Sequence, residues 1–525
     1  MQHYGQFAEL FLTPIEKENF ARWHEEGKGV VEYKMHKSVV ARMTDPLFER
    51  IHVYIPDYVS PNVLTLIGTV AVMQAWYFCR VYYNNMLPIA VFAAVGTYWV
   101  LHNVEKLHAK RTMQDTTLGE FFKYACDTVT TVFACLCFIM LFGGYEQNSS
   151  QVENQWYAVQ CTQLALMYKH MSAFFREGGL RYWIFGPPEV ITVVMGAFLC
   201  HALFGLRWFW DNYCFVYQQL CSVLGQQPGD PASVLHATVR LLYVTAFVAV
   251  TLKALTSKSR HHQTKTGVAL CLACRHVPTV LHFASFHFLD IGIRDLTHQG
   301  VITDGLMMGV VTCDLMLAKM ANRELHPWVI LFAFSTIVPH AQFLVIYFIA
   351  FYYVAVFGDL CWFLNLPLFQ TIRNVYCDGV YDLNHVGHKH AFRNALKHGN
   401  RLFVGVMSDE DCANYKRPPI MSAAERCEEV GACKAVAKVI PRAPCFGLTE
   451  EFIKKHSIHV VCFGEEYKER YPNPEDDPYY GVPRRRNMAV PLPRTPGLST
   501  SDLIDRVQKA PPPWPAKIPE SHGPK

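Results

Sequence analysis

The chain has 525 residues, of which 51% are hydrophobic, 14% aromatic and only 18% charged, with a net charge of +4. A typical soluble domain carries about 25% charged residues, so this chain lacks the polar groups to cover an ordinary soluble enzyme. The same figures exclude disorder as the main state and leave no nucleic-acid footprint. They point to a polytopic membrane protein with room for a soluble domain beside it.

Residues 1–50 mix charges of both signs and lack an apolar core, so they read as an amphipathic or soluble segment without a signal peptide. Gln2 stands where N-myristoylation needs glycine. Membrane-length apolar runs then occupy 63–83, 86–101, 128–146, 156–174, 183–204, 208–224, 236–255, 267–290, 302–320 and 328–357. The last is long enough to break into two. At ~20 residues per crossing, about eight to ten helices fit between residues 51 and 368. Gln160, Gln163, Glu189, His201 and His340 lie inside these runs. Such groups face a partner or a cavity, and helix-to-helix hydrogen bonds and a substrate path stay equally open. By the positive-inside rule the basic clusters Lys106–Arg111 and Lys253–Lys265 are expected on the cytoplasmic or matrix side. Cys271 and Cys274 form a lone C-x-x-C without a second pair at zinc spacing, and the 18 cysteines read as packed thiols.

The composition changes after Leu368. Val375–Tyr376 starts a strand, Lys389–Lys397 is helical, Arg401–Val406 is a strand, Ala423–Ala437 is helical and His459–Cys462 is a strand. Alternation of this kind predicts a parallel sheet with crossover helices. The proline-rich stretch 471–525 reads as extended, with one helical piece near Asp502–Gln508. The expected architecture is a polytopic α-helical membrane domain (51–368), an α/β nucleotidyltransferase domain of Rossmann-like type (371–508) and an extended proline-rich tail (509–525).

Ser60–Gly68 (SPNVLTLIG), Tyr33–Lys34, Pro46–Phe48 and Leu315–Leu325 (LMLAKMANREL) resemble choline/ethanolamine phosphotransferases of the CDP-alcohol phosphotransferase family. That family carries the pattern D-x-x-D-G-x-x-A-R-x₈-G-x-x-x-D-x-x-x-D, whose first three carboxylates hold divalent metals and whose fourth serves as a base. Here the spacing persists with His102, Glu105, Lys106, Ala109, Lys110, Gly119, Lys123 and Asp127 at the signature positions. The substitutions shift the site's charge by roughly four positive units, and an ammonium ~4 Å from a divalent cation is repelled by roughly 8 kcal/mol at an effective dielectric of 20. The resemblance therefore implies a transferase half that binds no metal and transfers nothing. Lys106, Lys110 and Lys123 leave room for a bound phospholipid headgroup instead.

Residues 375–388 (VYCDGVYDLNHVGH) run from a strand through Asp378, Gly379 and Asp382 into His385, Gly387 and His388. Further on come Arg401–Asp409, Lys416, Glu425–Arg426 and Arg494–Ile504 (RTPGLSTSDLI). Together these resemble the ethanolamine-phosphate and choline-phosphate cytidylyltransferases over about residues 372–508. The resemblance implies attack of a phosphomonoester oxygen on the α-phosphorus of CTP, with Mg²⁺ accompanying the nucleotide. His385 and His388 share a face at a helix N-terminus, a position suited to anions. Lys416 would place a cation on the phosphates, and Gly387 would let the nucleotide approach the backbone. Arg494, Gly497, Ser499, Thr500 and Ser501 would cradle the triphosphate. Asp378 and Gly379 close the same nucleotide site, and Asp382 would orient substrate or metal. Two segments depart from the family: Phe463–Glu466 reads F-G-E-E for H-G-D-D, and Lys434–Lys438 lacks an aromatic ring and an aspartate. Both losses weaken the support for an amino-alcohol ammonium.

Two functional expectations follow. In one, a membrane-anchored cytidylyltransferase makes CDP-ethanolamine beside an inactive transferase half. In the other, the whole chain is a non-catalytic pseudoenzyme serving as an accessory subunit of a large membrane complex, such as a mitochondrial respiratory one. Either way the expected surroundings are a lipid bilayer of the mitochondrial inner membrane or endoplasmic reticulum. The expected partners are other subunits or a second copy, with no nucleic acid.

Overall fold

The computed structural model describes residues 9–23, 39–81, 87–142, 149–175, 187–223, 227, 229–257, 262–283, 297–335, 342–415, 417–495 and 499–509. The chain divides into two compact units, Met1–Thr371 and Ile372–Lys525.

The first unit is helical. Helices α1 (Pro14–Arg22) and α2 (Val39–Ile51) precede α3 (Pro61–Val81), α4 (Leu87–Arg111), α5 (Thr117–Phe142) and α6 (Ser149–Phe174). Then come α7 (Pro187–Val223), α8 (Pro231–Thr256), α9 (His262–Phe283), α10 (His298–Ala321), α11 (Pro327–Ser335) and α12 (Gln342–Leu364). Helix α10 is the hub: nearly every residue is buried, and it packs on α5, α6 and α12. Its two buried carboxylates are both neutralised, Asp304 by Arg275 and the Trp156 indole N–H, Asp314 by Arg323 and the Tyr352 hydroxyl. A buried charge needs that pairing. At the other end of the unit's sequence, Lys17 of α1 reaches Asp359 of α12 at 2.8 Å.

Among the described residues, seven stretches are long and apolar enough to cross a membrane: Pro61–Val81, Leu87–Arg111, Thr117–Phe142, Glu189–Trp208, Ser233–Thr256, His298–Ala321 and Phe343–Leu364. That is fewer than the eight to ten suggested by apolar runs alone, because polar residues dilute α6 and α9. The described parts of the runs 183–204 and 208–224 fall in α7, which breaks at Gly205 with φ 80°, a left-handed geometry that glycine tolerates. The described parts of the run 328–357 lie in α11 and α12, and residues 336–341 between them lie outside the described residues. Gln163 donates to the Thr128 carbonyl and Glu189 accepts from the Val40 amide, so these two serve helix packing. His340 lies outside the described residues.

The second unit is α/β. Strands β1 (Asn374–Gly379), β2 (Arg401–Met407), β3 (Lys438–Ala443), β4 (Val460–Gly464) and β5 (Ala489–Leu492) form one sheet in the order β3-β2-β1-β4-β5. Every pairing is parallel. Between them run α13 (Val386–Leu396), α14 (Asp409–Tyr415), α15 (Ala423–Gly431), α16 (Glu450–Lys455), α17 (Glu465–Arg470), α18 (Gly481–Arg485) and, after β5, α19 (Thr500–Lys509). Apolar clusters cover both faces of the sheet: Val375, Val404 and Phe392 belong to one, Tyr376, Phe403 and Ile453 to the other. The strand order reverses between β1 and β4, and ligands of such sheets bind at the carboxyl ends beside that reversal.

The structure corrects two expectations here. The helix expected over 423–437 stops at Gly431, and β3 follows. Residues 471–495 are not an extended tail: they hold a 3₁₀ turn, α18 and β5, with Tyr480 and Leu492 buried. The tail proper, 510–525, lies outside the described residues.

Candidate functional site

The loop from β1 to α13 is held in a costly shape. Tyr381 and Leu383 both have positive φ, 52° and 53°, each a conformation that non-glycine residues adopt at about 1 kcal/mol or more. Four neighbours fix it. The buried carboxylate of Asp382 accepts from the amides of Ile420 and Met421 and from Arg417. The amide of Asn384 donates to the Glu429 carbonyl at 3.0 Å. Arg426, fully buried, donates to the carbonyls of Val380, Met407 and Met421 and to Asp409. Finally, the Thr500 hydroxyl donates to the Asp382 carbonyl at 3.3 Å. At Gly379, a side chain would meet the Tyr381 ring at 3.0 Å.

That loop delivers the two histidines. His385 is the N-cap of α13, and its Nδ1 accepts from the Gly387 amide at 3.1 Å. An accepting Nδ1 places the neutral ring's proton on Nε2. His388 stacks on His385 with centroids 3.9 Å apart and takes the edge of Tyr381 at 5.2 Å. Burial, then the neighbouring His385, pushes His388 down to about 4, and burial lowers His385. Both rings are therefore neutral near pH 7. The buried Nδ1 of His388 has no hydrogen-bond partner. Such an orphan invites a ligand.

Helix α19 brings a second N-terminus to the same loop. Ser499 caps it, accepting from the Asp502 amide and donating to the Asp502 carboxylate. Asp502 acts on the His385 ring, and Arg494 acts on Asp502. So Ser499, Thr500 and Arg494 gather with His385, while Ser501 is exposed. Lys416 and Gly497 lie outside the described residues. Helix N-termini favour anions, and here the N-termini of α13 and α19 both adjoin the loop that carries the neutral imidazoles.

Asp378, at the carboxyl end of β1, accepts from the Tyr480 hydroxyl at 2.8 Å. Burial raises its carboxyl to about 6. Tyr480 stacks on Phe463 and takes the edge of Tyr467. A carboxylate beside aromatic rings suits an ammonium group. Sequence reasoning placed Asp378 at the nucleotide and gave Tyr480, Arg426 and Arg417 no part. Tyr480 sits in the stretch misread as tail, and only the E-R pair at 425–426 hinted at Arg426.

Residues 376–506 match the family described as cytidylyltransferase-like. The C-terminal domain is cytidylyltransferase-like. It is homologous to the ethanolamine-phosphate cytidylyltransferase of Mus musculus, 36% identical over 138 residues, 26% of this chain and 33% of that protein. The choline-phosphate cytidylyltransferase A of Homo sapiens is 38% identical over 143 residues, 27% of this chain and 38% of that protein. The chain thus spans about a third of the length of these curated relatives. A solved structure, the lipopolysaccharide core biosynthesis protein from Thermoplasma volcanium GSS1, aligns at 20% identity over 24% of this chain and 99% of its own, with a TM-score of 0.20.

In the helical unit, the residues singled out by the transferase resemblance lie close to one another. Lys123 donates to Glu105 at 3.0 Å and to the His102 carbonyl at 2.6 Å. His102 Nδ1 lies 3.2 Å from Asp127, which also accepts from the Tyr98 hydroxyl at 2.8 Å. Ala109 is buried, and a side chain at Gly119 would press on Asn62 at 3.1 Å. Lys106 and Lys110 are on α4, with Lys110 exposed. The donor set is two carboxylates, each already facing a nitrogen within the protein. It does not fit a two-metal clamp.

Proposed function

We propose that the cytidylyltransferase-like domain transfers a cytidylyl group from CTP to an amino-alcohol phosphate, with ethanolamine phosphate favoured. The observation that carries this reading is the stacked, neutral His385–His388 pair at one helix N-terminus with Thr500 of the other bound to the same loop. The Nε2–H of His385 would donate to phosphoryl oxygens as charge builds up. His388, with an open Nδ1, would share that charge. Asp378 and the ring of Tyr480 would receive the ammonium. Mg²⁺, if it enters, would travel with the triphosphate and neutralise it.

The helical unit, in this proposal, is a membrane anchor descended from a CDP-alcohol phosphotransferase and no longer catalytic. The support is the occupation of Glu105 by Lys123 and the approach of His102 to Asp127. A second reading makes the whole chain a non-catalytic subunit of an organellar membrane complex. It is favoured by the carboxylate of Asp382, already engaged by the amides of Ile420 and Met421 and by Arg417 and so not free for substrate or metal.

The test is product formation from CTP by the full chain, offered ethanolamine phosphate and choline phosphate in parallel. Faster turnover of ethanolamine phosphate, with a raised KM in Asp378→Asn, supports the proposal. Absence of both products abandons it and leaves the non-catalytic reading.

A further inference from the structure

Helix α2 divides its surface three ways. One face is docked: Phe48 is buried with its ring edge-on to Trp99 of α4 at 5.5 Å, and the Val40 amide donates to Glu189 of α7 at 3.2 Å. A second face is charged, with Arg42, Asp45 and Glu49. The third is apolar and open. Val39, Met43 and Leu47, at i, i+4, i+8 spacing, are 58%, 75% and 52% exposed. The stripe continues beyond the helix into Val53, Tyr54 and Tyr58, also exposed.

The position of α2 in the bundle says what covers that stripe. Arg111, at the basic end of α4, donates to the carbonyls of Val53 and Ile55, and His108 bonds the Val59 carbonyl. Helix α3 starts two residues later, at Pro61. The contact to Glu189 sits at the first turn of α7, beside the outward-facing Val190 and Val193. Thus α2 lies where α3 begins, α4 ends and α7 begins, and its stripe is continuous with the exposed apolar sides of candidate spanning helices. Arg50, exposed and three residues after Leu47, falls on the same side of the helix by its spacing, and an arginine stem can lie along apolar surface while its head reaches phosphates. Exposed tyrosines at this level match the aromatic belt of a membrane boundary.

We propose that α2 lies flat in the headgroup–acyl boundary of a lipid bilayer, with Val39, Met43 and Leu47 against the acyl chains and Asp45 and Glu49 toward water. This rests on the membrane reading of the helical unit and adds a specific orientation to it. The experiment places the photo-crosslinker p-benzoylphenylalanine at Met43, at Glu49 or at Tyr347, in the full chain reconstituted into phosphatidylcholine–phosphatidylserine vesicles. Tyr347 is an exposed residue on α12 and serves as the spanning-helix control. Lipid adducts are read by mass spectrometry. The expected result is adducts at Met43 and Tyr347, with at least about fivefold fewer at Glu49. Adducts at Tyr347 but none at Met43, or equal yields at Met43 and Glu49, overturn the orientation of α2 and keep the membrane reading. Met43 joined to protein rather than lipid does the same. Absence of lipid adducts at Tyr347 as well overturns both.

Discussion

The hydroxyl of Thr500 donates to the backbone carbonyl of Asp382 at 3.3 Å, joining residues 118 positions apart in sequence. This bond registers the N-terminus of α19 against the loop that presents His385 and His388. If both helix ends serve one triphosphate, the registry matters more for binding than for folding. Thr500→Val keeps the shape and removes the donor. It should weaken CTP binding about fivefold, the equivalent of about 1 kcal/mol, with little change in thermal stability. Calorimetric titration of both proteins decides; equal affinities contradict the cradle.

The buried His388 ring makes a pH prediction. Its folded value of about 4 lies below the ordinary 6.5, so the unfolded chain takes up the proton first as pH falls. Its contribution is fully present above about 6.5, declines between about 6.5 and 4, and changes no further below that. Asp378, raised to about 6, has the opposite slope between its ordinary value and 6. The two must therefore be separated by difference. Wild type minus His388→Gln in urea unfolding should decline on acidification through that window. A flat difference shows that the ring is not buried as described. Bound CTP should raise the imidazole value, since its phosphates favour the charged form.

Arg426 holds the carbonyl ends of β1 and β2 through Val380 and Met407 and also reaches Asp409. Removing a fully buried guanidinium strands three carbonyls. Arg426→Met should destabilise the domain by about 3 kcal/mol or more. Arg426→Lys should recover little, since an ammonium cannot span that fork of acceptors. Chemical denaturation measures both. A lysine variant as stable as the wild type would show that charge alone is needed.

In the helical unit, Lys123 pairs with the buried Glu105. Lys123→Ala should lower the melting temperature in detergent, and Lys123→Ala with Glu105→Ala should recover part of the loss, a positive coupling in the double-mutant cycle. Lys123→Asp alone should gain no Mg²⁺-dependent phosphotransfer, because His102 and Lys106 remain. Restored transfer in that single variant would refute the proposal of a spent site.

The strands that sequence reasoning found are the inner ones. β1, β2 and β4 have sheet neighbours on both sides, and their buried cores read as the apolar stretches VY, LFVGV and VVCF. The two it missed, β3 and β5, are the sheet edges, and each contains a proline, Pro441 and Pro491. Proline is tolerated at an edge and resembles a loop in sequence. Pro491 and the other prolines of 471–495 made that stretch look extended, although Tyr480 fastens it into the core. The histidine motif was legible because its spacing is local. Asp378–Tyr480 was not, because its partners meet across 102 positions. In the helical unit the residues His102, Glu105, Lys123 and Asp127 were legible as a group by their spacing, but not that Lys123 pairs with Glu105 and that His102 approaches Asp127.

The most direct measurement of the central claim is the rate of cytidylyl transfer from CTP to ethanolamine phosphate, compared among the full chain, His385→Ala and His388→Ala. Loss of preorganised donors to a developing phosphoryl charge costs about 10²–10³ in kcat. The account predicts measurable wild-type turnover that drops by that factor in each variant, with the fold intact by circular dichroism. Turnover unaffected by either substitution would contradict it.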